Sequence, residues 1–266
     1  MFKRIHILYL LLVVIVTSCS GYNKVLKSDD YALKFQSAND YFDKGQEDRS
    51  IALYEQVYQR MPKTAEGEVS YYRLGKCYFA GGDYYMAGYY FGQFAQRFPL
   101  SVNAEEALFL SALCSVSNSP SYSLDQTETE LAINNLQQFV DRYPNSILVD
   151  SCNNTIDRLR FKLETKAYDG VKLYSKTSNY RAAVSSALTF IEDFPRSKYE
   201  EEVRYELIKN SYLLAKNSIK TKKIDRIDDT IERYRTFVAL FPESKYRTML
   251  AKYADLAEKE RVTAEK

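Results

Sequence analysis

Cysteine, histidine and paired carboxylates are the residues from which most enzyme and metal sites are built, and this chain places few of them where they could cooperate. Its one histidine is His6, inside an N-terminal apolar segment. A chain that loses that segment has no imidazole, so Ser–His and Cys–His nucleophile pairs and imidazole metal ligands are excluded. Cys77, Cys114 and Cys152 each stand among apolar residues at helical spacing, and read as buried thiols acting as small hydrophobes. Glu105-Glu106 and Glu200-Glu201-Glu202 could supply the two carboxylates of a glycoside hydrolase. Both groups fall at helix starts, where a carboxylate complements the helix dipole instead. The expectation is therefore no enzyme, no metal and no cofactor. The fourth cysteine has a different chemistry, because a thiol can also accept an acyl or alkyl group. Cys19 follows basic Lys3 and Arg4 and an unbroken apolar run from Ile7 to Val16. That run is too short to span a bilayer as a helix and right for a signal-peptide core.

The run ends in Val16-Thr17-Ser18-Cys19, which resembles the bacterial lipobox, an aliphatic residue and two small residues before a cysteine. The resemblance implies a lipoprotein signal peptide at 1–18, cleavage before Cys19 and covalent lipid on Cys19. Two or more acyl chains give stable anchoring, at about 0.8 kcal/mol per buried CH₂. No Asp follows Cys19, and the first acidic pair is Asp29-Asp30. An outer-membrane location on the periplasmic side follows from the resemblance, with residues 19–30 as a lipidated tether.

Charge narrows the partners. Lys plus Arg is 37 and Asp plus Glu is 35; with Lys3 and Arg4 removed the chain nets zero, which argues against nucleic acid. Residues 19–195 carry net −4 and residues 196–266 net +4, so the C-terminal part could meet an acidic partner or lipid headgroups. Lys220, Lys222, Lys223 and Arg226 cluster in what reads as a basic connector. With 9 Gly and 6 Pro, turn-formers are too few for a sheet-rich protein.

The prolines set the architecture. Met61-Pro62-Lys63-Thr64, Phe98-Pro99-Leu100-Ser101, Tyr143-Pro144-Asn145-Ser146, Phe194-Pro195-Arg196-Ser197 and Phe241-Pro242-Glu243-Ser244 share one pattern, at intervals of 37, 45, 51 and 47. Proline stops a helix, and Ser or Thr two residues later is placed to cap the next. Ser197 with Glu200, and Thr127 with Glu130, have capping-box spacing. The unit Tyr71, Leu74, Gly75, Tyr78, Ala87, Phe91, Pro99 resembles the tetratricopeptide repeat, departing where Phe94 replaces a small residue. The expected fold is an all-α solenoid of about five tetratricopeptide-like helical hairpins, at about 31–63, 64–100, 101–145, 146–196 and 197–243. A capping helix follows at 244–266. Ser115 to Asp125 reads as a polar loop.

In the repeat family the first helices line a concave face. On repeat one the face positions are Ala32, Phe35, Asn39 and Phe42; on repeat two they are Val69, Tyr72, Lys76 and Phe79. The groove residues are thus Phe35, Asn39, Phe42, Tyr72, Lys76 and Phe79. They suit an extended peptide with aromatic side chains, its carboxylate against Lys76; the same rings read equally well as hairpin core.

A cysteine-anchored array of such hairpins is similar to the BamD family, the lipoproteins of the outer-membrane β-barrel assembly machinery. The specific marks are Leu124-Asp125-Gln126-Thr127-Glu128-Thr129 and Asp141-Arg142-Tyr143-Pro144-Asn145-Ser146. The resemblance implies a non-enzymatic scaffold whose partners are unfolded outer-membrane proteins, the barrel-forming subunit of the machinery, and the membrane through the lipid anchor. A tetratricopeptide lipoprotein adaptor for another envelope process, peptidoglycan synthesis or transport, shares the anchor and the repeats but not the Asp-Gln-Thr loop.

Overall fold

The computed structural model describes residues 21–264, and among these there is no strand. After a short helical stretch over 21–26, the helices are α1 Tyr31–Asp43, α2 Glu47–Arg60, α3 Ala65–Ala80, α4 Tyr84–Arg97, α5 Ala104–Asn118, α6 Thr127–Arg142, α7 Val149–Lys176, α8 Tyr180–Asp193, α9 Glu200–Lys216, α10 Lys220–Leu240 and α11 Arg247–Ala264. They form two compact units, one up to Asp157 and one from Arg158. In the first, α1 packs on α2, α2 on α3, and so on through α6, with α1 also touching α3. In the second, α8 packs on α9, α9 on α10, and α11 covers both α9 and α10. This is the all-α tandem-hairpin fold that the proline pattern leads one to expect.

Each second helix ends the same way. Met61, Phe98, Tyr143, Phe194 and Phe241 precede the prolines with φ between −123° and −130° and ψ between 51° and 66°. Each still donates its N–H to the carbonyl four residues back. Proline forbids the α conformation before it, so this is the last helical hydrogen bond the chain can make. In four of these turns the side chain folds back onto a buried Phe one turn earlier: Phe94–Phe98, Phe139–Tyr143, Phe190–Phe194 and Phe237–Phe241, with ring centroids 5.1 to 5.6 Å apart. The Phe at position 27, which departs from the tetratricopeptide pattern, is thus a repeated feature of this chain.

The next helix starts later than its serine. Thr64 caps α3 directly, accepting from Gly67 N–H. Ser101, Ser146, Ser197 and Ser244 instead accept from the N–H two residues on, at Asn103, Leu148, Tyr199 and Tyr246. This tighter turn precedes the helix and is a known alternative for Ser side chains. The Ser197–Glu200 capping box does not form; the Ser197 hydroxyl donates to Glu164. Nor does the Thr127–Glu130 box: Thr127 is the first residue of α6, and its N–H goes to Asp125 Oδ1 at 3.0 Å.

Other boundaries differ from expectation. Residues 21–26, placed in the tether, are helical, and Tyr22, Val25 and Leu26 pack on the cluster of Ala38, Leu53, Tyr54, Leu74 and Cys77. Residues 115–118 belong to α5, so the loop is 119–126. The supposed basic connector is the start of α10. In α11 the buried residues are Leu250, Ala254 and Ala257, while Met249 and Leu256 stay exposed. The cleavage site and Cys19 lie outside the described residues.

Two glycines let the helices of the first unit close up. A Cβ on Gly75 would stand 2.7 Å from the Phe91 ring, and one on Gly67 would strike the Met61 carbonyl. A Cβ on Gly170, within α7, would meet nothing. Gly67→Ala is therefore expected to lower stability by about 1–3 kcal/mol, since backbone has to shift. Gly170→Ala is expected to raise it by about 0.5–1 kcal/mol through helix propensity. Urea midpoints of the two variants, followed by circular dichroism, check both signs.

Candidate functional site

The face predicted to receive a peptide is made by α1 and α3, and much of its polar chemistry is already engaged. Asn39 Oδ1 accepts from the Tyr54 hydroxyl at 2.7 Å and from Arg73 Nη1 at 2.7 Å. The Arg73 guanidinium lies 4.8 Å from the Phe42 ring centre, and Phe42 meets Tyr54 edge-on. Asn39 and Arg73 each stand nine residues into their helices, which sets α1 and α3 side by side in parallel register. Ala32 is exposed; Phe35, Asn39, Phe42, Val69, Lys76 and Phe79 are half-buried. Phe35 and Phe42 lean on the α1–α3 core, and Phe79 on Tyr84 and Phe91.

Tyr72 does not line the groove. Its ring is buried between Phe91 and Phe94, 5.9 and 5.2 Å away, because position five of the repeat turns toward the second helix once that helix carries Phe at position 27. The Tyr72 hydroxyl hydrogen-bonds Glu106, at the start of α5. Lys76 is not a free ammonium either. Its Nζ is 2.7 Å from Glu106 Oε1 and 5.6 Å from the Tyr72 ring centre. The Lys76 and Tyr72 hydrogen bonds hold the Glu106 carboxyl below the usual carboxylate range.

The same triad recurs in the second unit. Tyr168 hydrogen-bonds Glu202, Lys172 stands 3.8 Å from Glu202 and 4.8 Å over the Tyr168 ring. In both triads Lys follows Tyr by four residues on a first helix. In both, Glu is the third residue of the next first helix, thirty residues after the Lys. A Tyr–Lys pair at i,i+4 with a Glu thirty residues on was the available signal. These side chains clamp consecutive hairpins. The ion pairs are half-exposed, so each contributes about 0–1 kcal/mol; the buried tyrosine rings carry most of the clamp.

The Asp-Gln-Thr segment is a loop lock. Gln126 is buried, and its amide donates to the carbonyls of Ser121, Leu124 and Asp125 at 2.8, 2.9 and 3.2 Å. Its Oε1 accepts from Thr129 Oγ1, which also meets Ser119 Oγ at 2.6 Å. One side chain thus gathers the carbonyls of a loop with no ladder of its own.

The cationic cluster on α10 is tied into its unit. Lys223 pairs with Glu260 at 3.0 Å, and Arg226 donates to the Ser218 hydroxyl. Cys77, Cys114 and Cys152 are free and buried, and burial pushes the thiols up, Cys77 and Cys114 to about 12. A groove of about 230 Å³ runs between α4, α5 and α6, floored by Gly88 and Ser111 and rimmed by Tyr85, Tyr89 and Leu131. The fully exposed aliphatics Leu100, Val102 and Ile147 stand in the proline turns.

Buried tyrosines set the alkaline limit of this fold. Burial lifts Tyr54, Tyr71 and Tyr168 from the ordinary 10.0 to about 12. A phenol whose folded value exceeds its unfolded one stabilises the fold fully below pH 10 and loses that contribution as pH rises toward 12. The protein is expected to hold its helicity up to about pH 10 and to unfold cooperatively above it. The share of phenolate absorbance that comes from these three rings should appear together with the loss of helix.

The chain matches the YfiO family, described as outer membrane lipoprotein, over residues 28–223 and again over 163–264. It is 23% identical over 197 residues to the outer membrane protein assembly factor BamD of Caulobacter vibrioides, across 73% of this chain and 65% of that protein. Less than two thirds of that relative's length is therefore spanned. Two crystal structures of a putative kinesin light chain from Podospora anserina, with nearly identical TPR-like repeats, align over 79% of this chain and 95% and 96% of theirs. Their identities are 14% and 15%, each with a TM-score of 0.32. The match to the outer membrane lipoprotein family extends over nearly every hairpin described above, and this chain belongs to that family.

Proposed function

We propose that this chain is a scaffold for assembling β-barrel proteins in the outer membrane, held on the periplasmic side by lipid on Cys19. The observation that carries the reading is the family match across the hairpins together with the likeness to an outer membrane protein assembly factor. The absence of histidine beyond residue 6 agrees with a role in binding rather than catalysis. Its partners in this reading are unfolded outer-membrane proteins and the barrel-forming subunit of the machinery.

The peptide-receiving face in this reading is that of α1 and α3, without the Tyr72 ring. Phe35, Phe42 and Phe79 offer half-buried rings, and Asn39 and Lys76 offer polar groups that are already bonded within the chain but partly open to water. An extended peptide with aromatic side chains would lie on the rings, and its carboxylate would compete with Glu106 for Lys76.

Phe35→Ala is expected to weaken binding of barrel C-terminal peptides several-fold with the thermal midpoint changed little, since Phe35 is on the rim of its cluster. Tyr72→Ala is expected instead to cost about 3–5 kcal/mol of stability. Fluorescence anisotropy with a labelled peptide reads the first and thermal melts the second; unchanged affinity in Phe35→Ala removes the α1–α3 face from the proposal. Cys19→Ser is expected to leave the protein without lipid and in the aqueous phase after detergent partition. A tagged chain drawn from solubilised outer membranes should bring down a large barrel protein with periplasmic repeat domains. Peptidoglycan enzymes or transporter subunits in its place would favour the adaptor reading.

A further inference from the structure

The chain enters the first unit at a defined edge. The Tyr22 ring lies 5.5 Å from that of Tyr41, and the Arg49 guanidinium covers both, at 5.4 and 5.5 Å. Tyr41 is in the last turn of α1 and Arg49 in the first turn of α2. The segment before α1 therefore starts beside the α1–α2 turn. Cys19 is three residues before Tyr22 in the chain, a covalent span of about 11 Å at most.

In a stack of antiparallel hairpins the turns inside hairpins gather at one edge and the proline turns at the other. The edge shared with the α1–α2 turn therefore holds the α3–α4 and α5–α6 turns. In these turns and the helix starts that follow them, Tyr85 is 64% exposed, Met86 36%, Tyr122 42% and Leu124 58%. Glu128 and Glu130 stand in the first turn of α6, and the two acids within the turns themselves bond the backbone. Asp83 Oδ1 accepts from Met86 N–H and Asp125 Oδ1 from Thr127 N–H, each at 3.0 Å. The α1–α2 turn itself is charged, with Asp43, Lys44, Glu47 and Asp48.

We propose that the α3–α4 and α5–α6 turns of the first unit rest on the lipid interface, with Tyr85, Met86 and Tyr122 among the headgroups and upper acyl chains. The proposal rests on the reading that Cys19 carries the lipid. Tyrosine has an apolar ring and a polar tip and is enriched at that depth, and a second contact makes a lipid anchor firmer. The edge would then turn the proline turns, with Leu100, Val102 and Ile147, toward the periplasm.

The test uses the full-length lipidated chain in vesicles of phosphatidylethanolamine and phosphatidylglycerol containing spin-labelled lipid. Single fluorophores are placed by Tyr85→Cys or Tyr122→Cys, and on the opposite edge by Val102→Cys or Ile147→Cys. The buried native thiols stay unreactive without denaturant. Labels at 85 and 122 are expected to be quenched several-fold more than those at 102 and 147. Equal or reversed quenching in a chain whose N-terminal peptide carries lipid by mass spectrometry overturns this inference alone. A chain without that lipid overturns the anchor reading and this inference with it.

Discussion

The structure depends on how a second helix is allowed to stop. Proline cannot continue the helix, and it drives the residue before it out of the α region. That residue makes the last helical hydrogen bond, and its side chain swings back along the helix. In four turns it meets a buried phenylalanine one turn earlier, ring on ring. Burying an aromatic pair this way contributes beyond its area, by about 0.5–1.5 kcal/mol. It also fixes the direction in which the chain leaves, and hence where the next first helix lies.

The large phenylalanine has consequences across the hairpin. It fills space that a small residue leaves open in the tetratricopeptide pattern, so the first helix must either withdraw or interlock. It interlocks. Tyr72 turns inward to lie against Phe94 as well as Phe91, while Gly75 leaves room for Phe91 as in the tetratricopeptide pattern. With its ring committed to the core, the Tyr72 hydroxyl emerges at the boundary between hairpins, where it meets Glu106 and brings Lys76 with it. The recurrence at Tyr168, Lys172 and Glu202 marks this as a consequence of packing that the chain uses twice.

The hairpins were legible because their signals are local: a proline, the apolar residue before it, and helical spacing on either side. The details that were not legible are those in which two local rules compete. A serine after Pro can cap at i+3 or close a tight turn at i+2, and in four turns the second geometry wins, so those helices start later than the spacing indicates. The Asp-Gln-Thr segment was visible as a motif, but the reach of Gln126 to three carbonyls depends on the path of the loop around it. The first-helix face was half legible. Phe35, Asn39 and Phe42 share a face by spacing alone. Whether Tyr72 joined them depended on Phe94, which is far along the chain and on another helix. Lys76 and Glu106 are separated by a whole hairpin, beyond any window of helical periodicity.

What remains open on the α1–α3 face constrains how it could bind. Its polar groups have partners inside the chain, so an incoming peptide gains little from new hydrogen bonds unless it exchanges with existing ones. Asn39 is the harder to displace, because freeing it would leave the buried Tyr54 hydroxyl without its acceptor and the Arg73 Nη1 with the Tyr54 oxygen alone. Lys76 is the easier, because Glu106 is half-exposed and returns to water at small cost. In the proposed reading a carboxylate would therefore enter this face at Lys76, and the rest of the affinity would come from apolar contact with Phe35, Phe42 and Phe79. Such binding would be broad in sequence and selective for aromatic side chains near a terminal carboxylate.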